Sequence, residues 1–274
     1  MQPVMKSPDS LRSDWETLNR ELDRWAESGR TAWFWWRDDD AADVTPALDR
    51  LLALHRTTAV PLTIAVVPRQ ASQALAERLD AEPAVTAAQH GFAHVNHSAP
   101  AEKKCEFPGS RAKESCLQDL RSGQMIMRRL FPQQSRQILV PPWNRLPAEL
   151  TGHLPHLGFT ALSQFQLRQR HQAAPGLVQI NTHIDPVDWK GQDSLTGCRM
   201  ALASALRCLQ AMRLGAAPQQ PLGLLTHHLR HDAVGWDFVA AFLSGVQEHP
   251  ASGWLDLAAS LDIGAPRGAV MPPS

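Results

Sequence analysis

The chain has 274 residues, of which 43% are hydrophobic and 20% charged, and its 27 basic residues balance 27 acidic ones. This length suits a single large core, because α/β barrels commonly reach it as one domain. A neutral chain without a long basic run offers little attraction to phosphate backbones or anionic membranes, so we predict neither nucleic acid nor membrane as a partner. The composition leaves the oligomeric state open.

The N-terminal segment and the cysteines bear on the compartment. Residues 1–15 are polar and lack the apolar run of a signal peptide, and no stretch approaches the roughly 20 apolar residues of a membrane span. The four cysteines form no CxxC pair, which argues against a thiolate zinc site and a disulfide framework. We therefore expect a cytoplasmic protein with reduced thiols.

The first predicted element is a helix within residues 1–30. Large apolar residues recur there at helical spacing and a glycine then supplies a stop, namely Leu11, Trp15, Leu18, Leu22, Trp25 and Gly29. We expect this helix to pack on the domain that follows it.

Apolar runs of strand length then alternate with helical patterns. The predicted strands are residues 32–36, 62–67, 85–88, 137–140, 159–162, 177–184, 222–225 and 254–257. The predicted helices are residues 45–56, 70–80, 111–130, 147–156, 194–214 and 235–248. Such alternation is typical of parallel strands joined by crossover helices.

The fold class that follows is α/β. We predict a distorted (β/α) barrel of about seven or eight parallel strands over residues 31–262, with an open doubly wound sheet as the alternative. Residues 98–110 are predicted to form a long polar loop at the rim or a lid. Residues 263–274 are predicted to be a disordered tail.

Polar clusters follow five of the predicted strands directly. They are Asp38-Asp39-Asp40, the histidine-rich residues 90–97, Pro141 to Arg145, Asp185 to Trp189, and Thr226-His227-His228. In barrels the loops at the carboxyl ends of the strands build the active site. The sequence therefore predicts one site that collects all five clusters.

The three adjacent aspartates repel one another, so at least one is expected to pair with a cation or to be protonated. In an extended chain Asp39 and Asp40 point in different directions, which suits one carboxylate that binds a metal and one that acts as a base. A run of helix-capping residues before Pro46 is the structural alternative.

Two histidines lie four residues apart, and one turn of helix would place the rings of His90 and His94 on the same face. With a carboxylate from the aspartate run they would form a metal site that leaves positions open for water and substrate. His97 is a third histidine in this segment. A second cluster holds His227, His228 and His231, and only one of the first two is expected to face the barrel mouth.

These motifs resemble, in order, those of the polysaccharide deacetylases with a NodB-homology domain, carbohydrate esterase family 4. Asp39-Asp40 resembles the Asp-Asp pair that ends the first strand, with Asp38-Asp39 as the alternative register, and His90 to His94 resembles the metal motif. Pro141-Pro142-Trp143 is similar to the proline-aromatic groove motif. Asp188-Trp189 and Leu225-Thr226-His227 resemble the last two motifs.

The resemblance implies a metal-dependent N-deacetylase that acts on a small-molecule or glycan substrate, an N-acetylated amino sugar for example. Asp40, His90 and His94 would bind a divalent metal, with zinc expected. Asp39 would act as general base and His227 as general acid, with Asp188 or Asp185 tuning His227. Residues implied to bind substrate or support the site are Pro142, Trp143, Arg145, Asp188, Trp189, His97 and His228.

The sequence departs from the family pattern at one position that bears on mechanism. Val140 stands where the family has an arginine before the proline-aromatic motif, and Arg145 is a candidate replacement. Three other functions stay open. They are a hydrolase of a non-sugar amide, an inactive deacetylase-like binding domain, and a non-haem iron oxygenase with the same ligand types.

Overall fold

A computed structural model describes residues 9–191 and 193–262 of the chain. The helices are α1 (Arg12–Glu27), α2 (Pro46–Thr58), α3 (Gln73–Asp80), α4 (Lys113–Leu130), α5 (Ala148–Thr151), α6 (Ser194–Arg213), α7 (Ala233–Glu248) and α8 (Leu257–Asp262). The strands are β1 (Ala32–Ala41), β2 (Leu62–Val66), β3 (Val85–His90), β4 (Ser135–Val140), β5 (Ala161–Leu162), β6 (Gln172–Ala174), β7 (Leu177–Gln179), β8 (Thr182–Ile184), β9 (Leu222–Thr226) and β10 (Ser252–Trp254).

Parallel pairing runs through the strands in the order β5-β4-β3-β2-β1-β9-β8. A bridge between Phe165 and Thr182 joins the segment after β5 to β8, the strand at the other end of that order. Two backbone hydrogen bonds support it: the Gln166 N–H donates to the Thr182 carbonyl and the Thr182 N–H donates to the Gln164 carbonyl, both at 2.9 Å. The predicted distorted α/β barrel is thereby confirmed.

The central strand β1 forms because its side chains alternate between two apolar environments. Phe34 and Trp36 pack in the hydrophobic cluster between the strands and the surrounding helices. Trp35 packs on the opposite face, in the hydrophobic cluster in the barrel interior. All three are essentially buried. A side chain of this size contributes on the order of 2–3 kcal/mol when it is removed from water, so β1 is held on both faces.

Helix α1 lies on the outside of the barrel. Its apolar stripe is buried, and the ring of Trp15 lies 5.7 Å from Phe238 and 5.8 Å from Phe242 on α7. The stripe also carries Glu21, whose carboxylate receives hydrogen bonds from Arg213 at the end of α6 at 2.6 and 3.1 Å. The predicted N-terminal helix thus packs on the strand-and-helix domain, while the predicted domain boundaries themselves stay a prediction.

Several predicted elements differ in extent. β1 continues through the aspartate run to Ala41, because Asp38 and its neighbours still pair with β2 and β9. The single predicted strand 177–184 is two strands, and β6 was not predicted. The last predicted strand, residues 254–257, differs as well. The observed strand β10 ends at Trp254, and Leu257 begins helix α8.

The loop that was predicted to be polar, residues 98–110, is partly buried. Its residues Cys105, Glu106 and Phe107 are shielded from solvent. The predicted disordered tail at 263–274 lies outside the described residues. Within the part of the chain that the structure describes, no helix is both long and apolar enough to cross a membrane.

Candidate metal centre and active-site cleft

The end of β1 sorts its charged side chains onto two sides. Arg37 and Asp39, two residues apart, are directed to the barrel interior, where the Arg37 guanidinium reaches Ser163. Asp38 lies between them and points the other way, toward Thr226 and His228. At Asp40 the backbone turns into the left-handed region, with φ of 72°, and the strand register shifts between Asp38 and Ala41. This turn lets the Asp40 carboxylate join the cleft beside Asp39.

Asp40 and two histidines converge on one point. The Asp40 Oδ1 atom lies 3.1 Å from His90 Nε2 and 3.2 Å from His94 Nε2. The three residues offer ligand atoms that all lie within 4.8 Å of one another. Two imidazoles and one carboxylate are the donor set of catalytic zinc and related divalent metal sites.

The turn that brings the histidines together is not helical, contrary to the expectation from their spacing. His90 ends β3, and the residues after it form bends rather than a helix. Gly91 and His94 both have left-handed backbone, each with φ of 56°. A compact loop therefore achieves what one helical turn was expected to achieve.

The surroundings of His90 fit a metal ligand. Its Nδ1 lies 2.9 Å from the Val140 carbonyl, so this nitrogen carries the proton and leaves Nε2 free as a ligand. Metal-binding histidines usually donate their second nitrogen to such an acceptor, which fixes the tautomer and the ring orientation. His90 is almost fully buried, whereas Asp40 and His94 remain accessible from the cleft. The residues present thus fit a divalent cation.

The electrostatics of Asp40 and His94 point the same way. Burial by itself raises the pKa of Asp40, but the hydrogen bond to His90 and the imidazoles of His90, His227 and His94 outweigh it and hold that pKa well below its ordinary value. Burial and the neighbouring His90 lower the pKa of His94. An ionised Asp40 and a neutral His94 are the states that bind a metal.

A buried carboxylate from the predicted polar loop holds the histidine turn. Glu106 is 1% exposed, and its two oxygens accept the backbone N–H groups of Ala93 at 2.6 Å and Phe92 at 3.0 Å. A side chain at position 91 would lie 2.0 Å from the Glu106 carboxylate, so only glycine fits there. Glu106 was not predicted as a site residue, although a charged residue between apolar Cys105 and Phe107 is a signal that could have identified it.

The Asp39 carboxylate pairs with an arginine of its own strand. Arg37 Nε lies 2.8 Å from one oxygen of Asp39, and another guanidinium nitrogen lies 3.0 Å from the second oxygen. The same guanidinium donates to Ser163 Oγ at 2.7 Å and Asn144 Oδ1 at 2.8 Å. Arg37 and Asp39 are both buried. The candidate replacement Arg145 instead donates to the Lys104 carbonyl at 2.7 Å and does not bind Asp39.

Asp38 belongs to a separate, closed network. Its Oδ1 lies 2.5 Å from His228 Nδ1, and its Oδ2 accepts from Thr226 Oγ1 at 2.7 Å and the His228 N–H at 3.0 Å. Burial lowers the pKa of His228, but the Asp38 carboxylate beside it outweighs burial and raises that pKa above its ordinary value. Of the two adjacent histidines, His228 therefore faces away from the cleft.

His227 faces the cleft. Its ring meets Trp189 edge-on at 4.8 Å, and its Nδ1 is buried without a hydrogen-bond partner among the described residues. Asp185 accepts the Trp189 indole N–H at 2.8 Å, and burial raises the pKa of this carboxyl group. Asp188 closes a turn by accepting the N–H groups of Lys190 and Gly191 and does not line the cleft. Of the two aspartates that were expected to tune His227, Asp185 therefore lies in the cleft and Asp188 does not.

The remaining predicted residues divide between the cleft and the loop. Trp143 lines the cleft with its ring 4.5 Å from His94, and Arg145 also lines it. Pro142 is buried against Gly91, behind the histidine turn. His97 is exposed and outside the cleft, where its N–H donates to the Cys105 carbonyl at 2.9 Å.

Together these side chains line a cleft of about 1480 Å³ at the carboxyl ends of the strands. It contains Asp39, Asp40, His90, His94 and His227, so the structure brings the predicted metal ligands and the two predicted proton-transfer groups into one space. Pro142, Asp188, His97 and His228 lie outside its lining.

No protein-family model matches this sequence, and no curated protein matches it. Solved structures match its fold. A candidate polysaccharide deacetylase from Mycobacterium smegmatis has a TM-score of 0.62 at 14% identity, over 90% of this chain and 96% of that one. A T48 deacetylase solved with substrate has a TM-score of 0.52 at 14% identity, over 86% of this chain and 93% of that one.

A Bacillus anthracis pseudoenzyme of carbohydrate esterase family 4 also matches, with a TM-score of 0.52 at 14% identity, over 85% of this chain and 66% of that one. A mutant of it with restored enzymatic activity matches with a TM-score of 0.54. At these identities the likeness concerns the fold. The chain therefore has the fold of the carbohydrate esterase family 4 polysaccharide deacetylases, with its polar clusters at the carboxyl ends of the barrel strands.

Proposed function

We propose that this protein is a metal-dependent hydrolase that removes an acetyl or similar acyl group from an amide nitrogen. The observation that carries the proposal is the convergence of Asp40, His90 and His94 on one point beside Asp39 and His227. The matching fold of deacetylases supports it. An N-acetylated amino sugar or glycan is the proposed substrate class, and a non-sugar amide is the alternative.

Asp40, His90 and His94 would hold the metal, with zinc as the proposed ion. A divalent metal in such a site polarises a carbonyl oxygen and lowers the pKa of a bound water toward ~7. The chain contributes the orientation: the Val140 carbonyl fixes His90, and Glu106 fixes the turn that carries His94.

Asp39 is the proposed general base. Its ion pair and hydrogen bond with Arg37 hold the carboxylate in place, and its position one residue before Asp40 places it beside the proposed metal ligands. A base fixed next to the attacking water contributes about 10²–10⁴-fold to the rate. Arg37 in turn is fixed by Ser163 and Asn144.

His227 is the proposed general acid, which donates its proton to the leaving amine nitrogen. Its ring is held edge-on against Trp189 within the cleft. Asp185 is fixed by the same indole and is the carboxylate proposed to tune His227. Trp143 and Trp189 line the cleft with aromatic faces of the kind that stack on sugar rings.

The test is the metal content of purified protein by elemental analysis, followed by turnover of acetamide substrates. We expect about one equivalent in the wild type and none in the His90→Ala/His94→Ala double variant. The double variant His153→Ala/His156→Ala, which removes two histidines outside the cleft, is the matched control and should keep the metal. A wild type that stays empty after dialysis against zinc would contradict the proposal. A loaded wild type that hydrolyses no acetamide would favour the inactive binding domain.

A further inference from the structure

The cleft around the candidate metal centre carries a local excess of positive charge. Three carboxylates line it, Asp39, Asp40 and Asp185, and all three belong to the reaction centre. Seven cationic side chains line the rest: Lys103, Lys104, Arg145, Arg168, Arg170, Arg207 and Arg230. The chain as a whole has equal numbers of basic and acidic residues. The excess is therefore a property of the cleft.

These seven cations have no acidic partners. Among the residues that the structure describes, none of them lies within 4.0 Å of a carboxylate oxygen. Elsewhere arginines do find such partners, as Arg78 pairs with Asp49 at 2.9 Å and Arg213 with Glu21 at 2.6 Å. The cleft thus presents positive charge that the described chain leaves uncompensated.

Arg168 is the most informative of the seven because it is buried. It is 8% exposed, and burial lowers its pKa. Its guanidinium donates to the backbone carbonyls of Gln179 at 2.5 Å and Gln219 at 3.5 Å. A buried charge without a counter-charge is costly, and a guanidinium with five donors keeps capacity for an anion after these two contacts.

Arg168 also belongs to a built side of the cleft rather than to a mobile rim. Its backbone N–H donates to Gln220 Oε1 at 3.0 Å, and the same oxygen lies 3.3 Å from His183 Nε2. Burial, with Arg168 and Arg37 nearby, lowers the pKa of His183 to about 4, so this imidazole is neutral and adds no charge of its own. Arg207 on α6 and Arg170 line the same cleft.

We infer that the substrate is an anion, an amide that carries a phosphate or carboxylate group bound by Arg168 together with Arg170 and Arg207. The identity of the amide rests on the proposed function, whereas anion binding does not. Guanidinium groups bind both kinds of anion in a bidentate manner. The cleft of about 1480 Å³ also exceeds the roughly 300–1,000 Å³ of ordinary small-molecule sites, so it has room for a charged group beside the reacting amide.

Calorimetric titration of metal-free protein tests the inference, because removal of the metal prevents turnover and prevents phosphate from binding to the ion. The ligands are N-acetylglucosamine, its 6-phosphate, and N-acetylmuramic acid, which carries a carboxylate. We expect the 6-phosphate to bind at least about tenfold more tightly than the neutral sugar, since one charge-assisted contact contributes about this factor. Equal affinity for all three ligands would overturn the inference.

Variants of the cleft arginines test where the anion binds. Arg168→Met and Arg207→Met should each weaken binding of the 6-phosphate by about tenfold and leave the neutral sugar unchanged. Arg121→Met, which removes an exposed arginine on α4 outside the cleft, is the matched control and should bind like the wild type. Because Arg207 is exposed, its variant decides the question even where Arg168→Met does not fold.

The outcomes separate this inference from the proposed function. Tight binding of the 6-phosphate alone identifies phosphate as the anion, and similar binding of N-acetylmuramic acid identifies anions in general; both support the inference. Affinity losses in Arg121→Met that match those in Arg207→Met would overturn it. Retained anion binding in a protein that hydrolyses no acetamide after metal loading would remove the proposed function alone.

Discussion

Two carboxylate–imidazole contacts lie two residues apart on β1, and they differ in almost every physical respect. Asp38 and His228 form a dry pair at 2.5 Å with side chains 0% and 1% exposed, and both Asp38 oxygens are fully used. Asp40 meets His90 and His94 at 3.1 and 3.2 Å with one oxygen, at the edge of the cleft.

The difference shows how one sequence run can serve two purposes. Both Asp38 oxygens accept hydrogen bonds from Thr226 and His228, so this carboxylate is committed to joining β1 to the end of β9. The Asp40 cluster instead directs several acceptor atoms at a common point, which is costly unless a cation binds there. Strand alternation alone would leave Asp38 and Asp40 on the same side of β1, so the left-handed backbone at Asp40 is what separates the two roles.

The largest expected effect lies on the cleft side. Asp39→Asn removes the proposed base but keeps the side-chain shape, so we expect turnover to fall by about 10²–10⁴-fold while the metal content stays at about one equivalent. Steady-state kinetics with an acetamide substrate and elemental analysis measure both quantities. Near-full activity in this variant would remove Asp39 from its proposed role.

The Asp38–His228 pair should instead contribute to the stability of the fold. Asp38→Ala leaves His228 buried without a partner, and we expect the free energy of unfolding to fall by about 3 kcal/mol, the cost of breaking a buried ion pair. Urea denaturation measures it. Asp23→Ala is the matched control, since Asp23 meets His249 at 3.2 Å but is 63% exposed, and it should cost less than about 1 kcal/mol. Equal losses in the two variants would contradict the distinction.

A smaller effect, on metal affinity, is expected for Glu106, which lies behind the candidate metal ligands. Glu106→Gln weakens the two hydrogen bonds that hold the histidine turn, and zinc affinity should fall by about 10–100-fold, as for other residues that orient metal ligands. Competition with a chromophoric chelator measures the affinity. Glu102→Gln changes an exposed carboxylate of the same loop and should leave the affinity unchanged. An unchanged zinc affinity in Glu106→Gln would show that the histidine turn keeps its conformation without these two hydrogen bonds.

The smallest effect concerns pH. Because Asp38 raises the pKa of His228 above 6.5, the folded state binds this proton more tightly than the unfolded state. The stabilisation is therefore complete below pH 6.5 and is lost as pH rises through the raised pKa. His228→Asn should lack this contribution, so in metal-free protein the difference in the free energy of unfolding between wild type and variant should shrink as the pH rises above 6.5. A difference independent of pH would show that His228 stays neutral.

The strand ends were predictable from the sequence because apolar runs followed by polar clusters mark them directly. Asp39, Asp40, His90, His94 and His227 all line the cleft, since parallel strands deliver their carboxyl ends to one side of the barrel. The fold class followed from the same alternation. The side chains that lie at the end of a single strand could thus be predicted from the sequence.

Contacts between distant segments could not be predicted in this way. The histidine spacing was compatible with a helix, and only the backbone of Gly91 and His94, held by Glu106 from farther along the same β3–α4 connection, gives the compact turn instead. Likewise Arg37 could not be matched to Asp39 from spacing alone, because Ser163 and Asn144 orient its guanidinium from other strand ends.

Five residues around the cleft have left-handed backbone although none is glycine: Asp40, His94, Trp143, Asn144 and Gln166. Each such conformation costs on the order of 1–3 kcal/mol. Random mutation in the absence of selection replaces such residues readily, because glycine or a relaxed loop at these positions is more stable. We therefore expect mutational drift, in the absence of selection on the site, to erase this site before it erases the barrel.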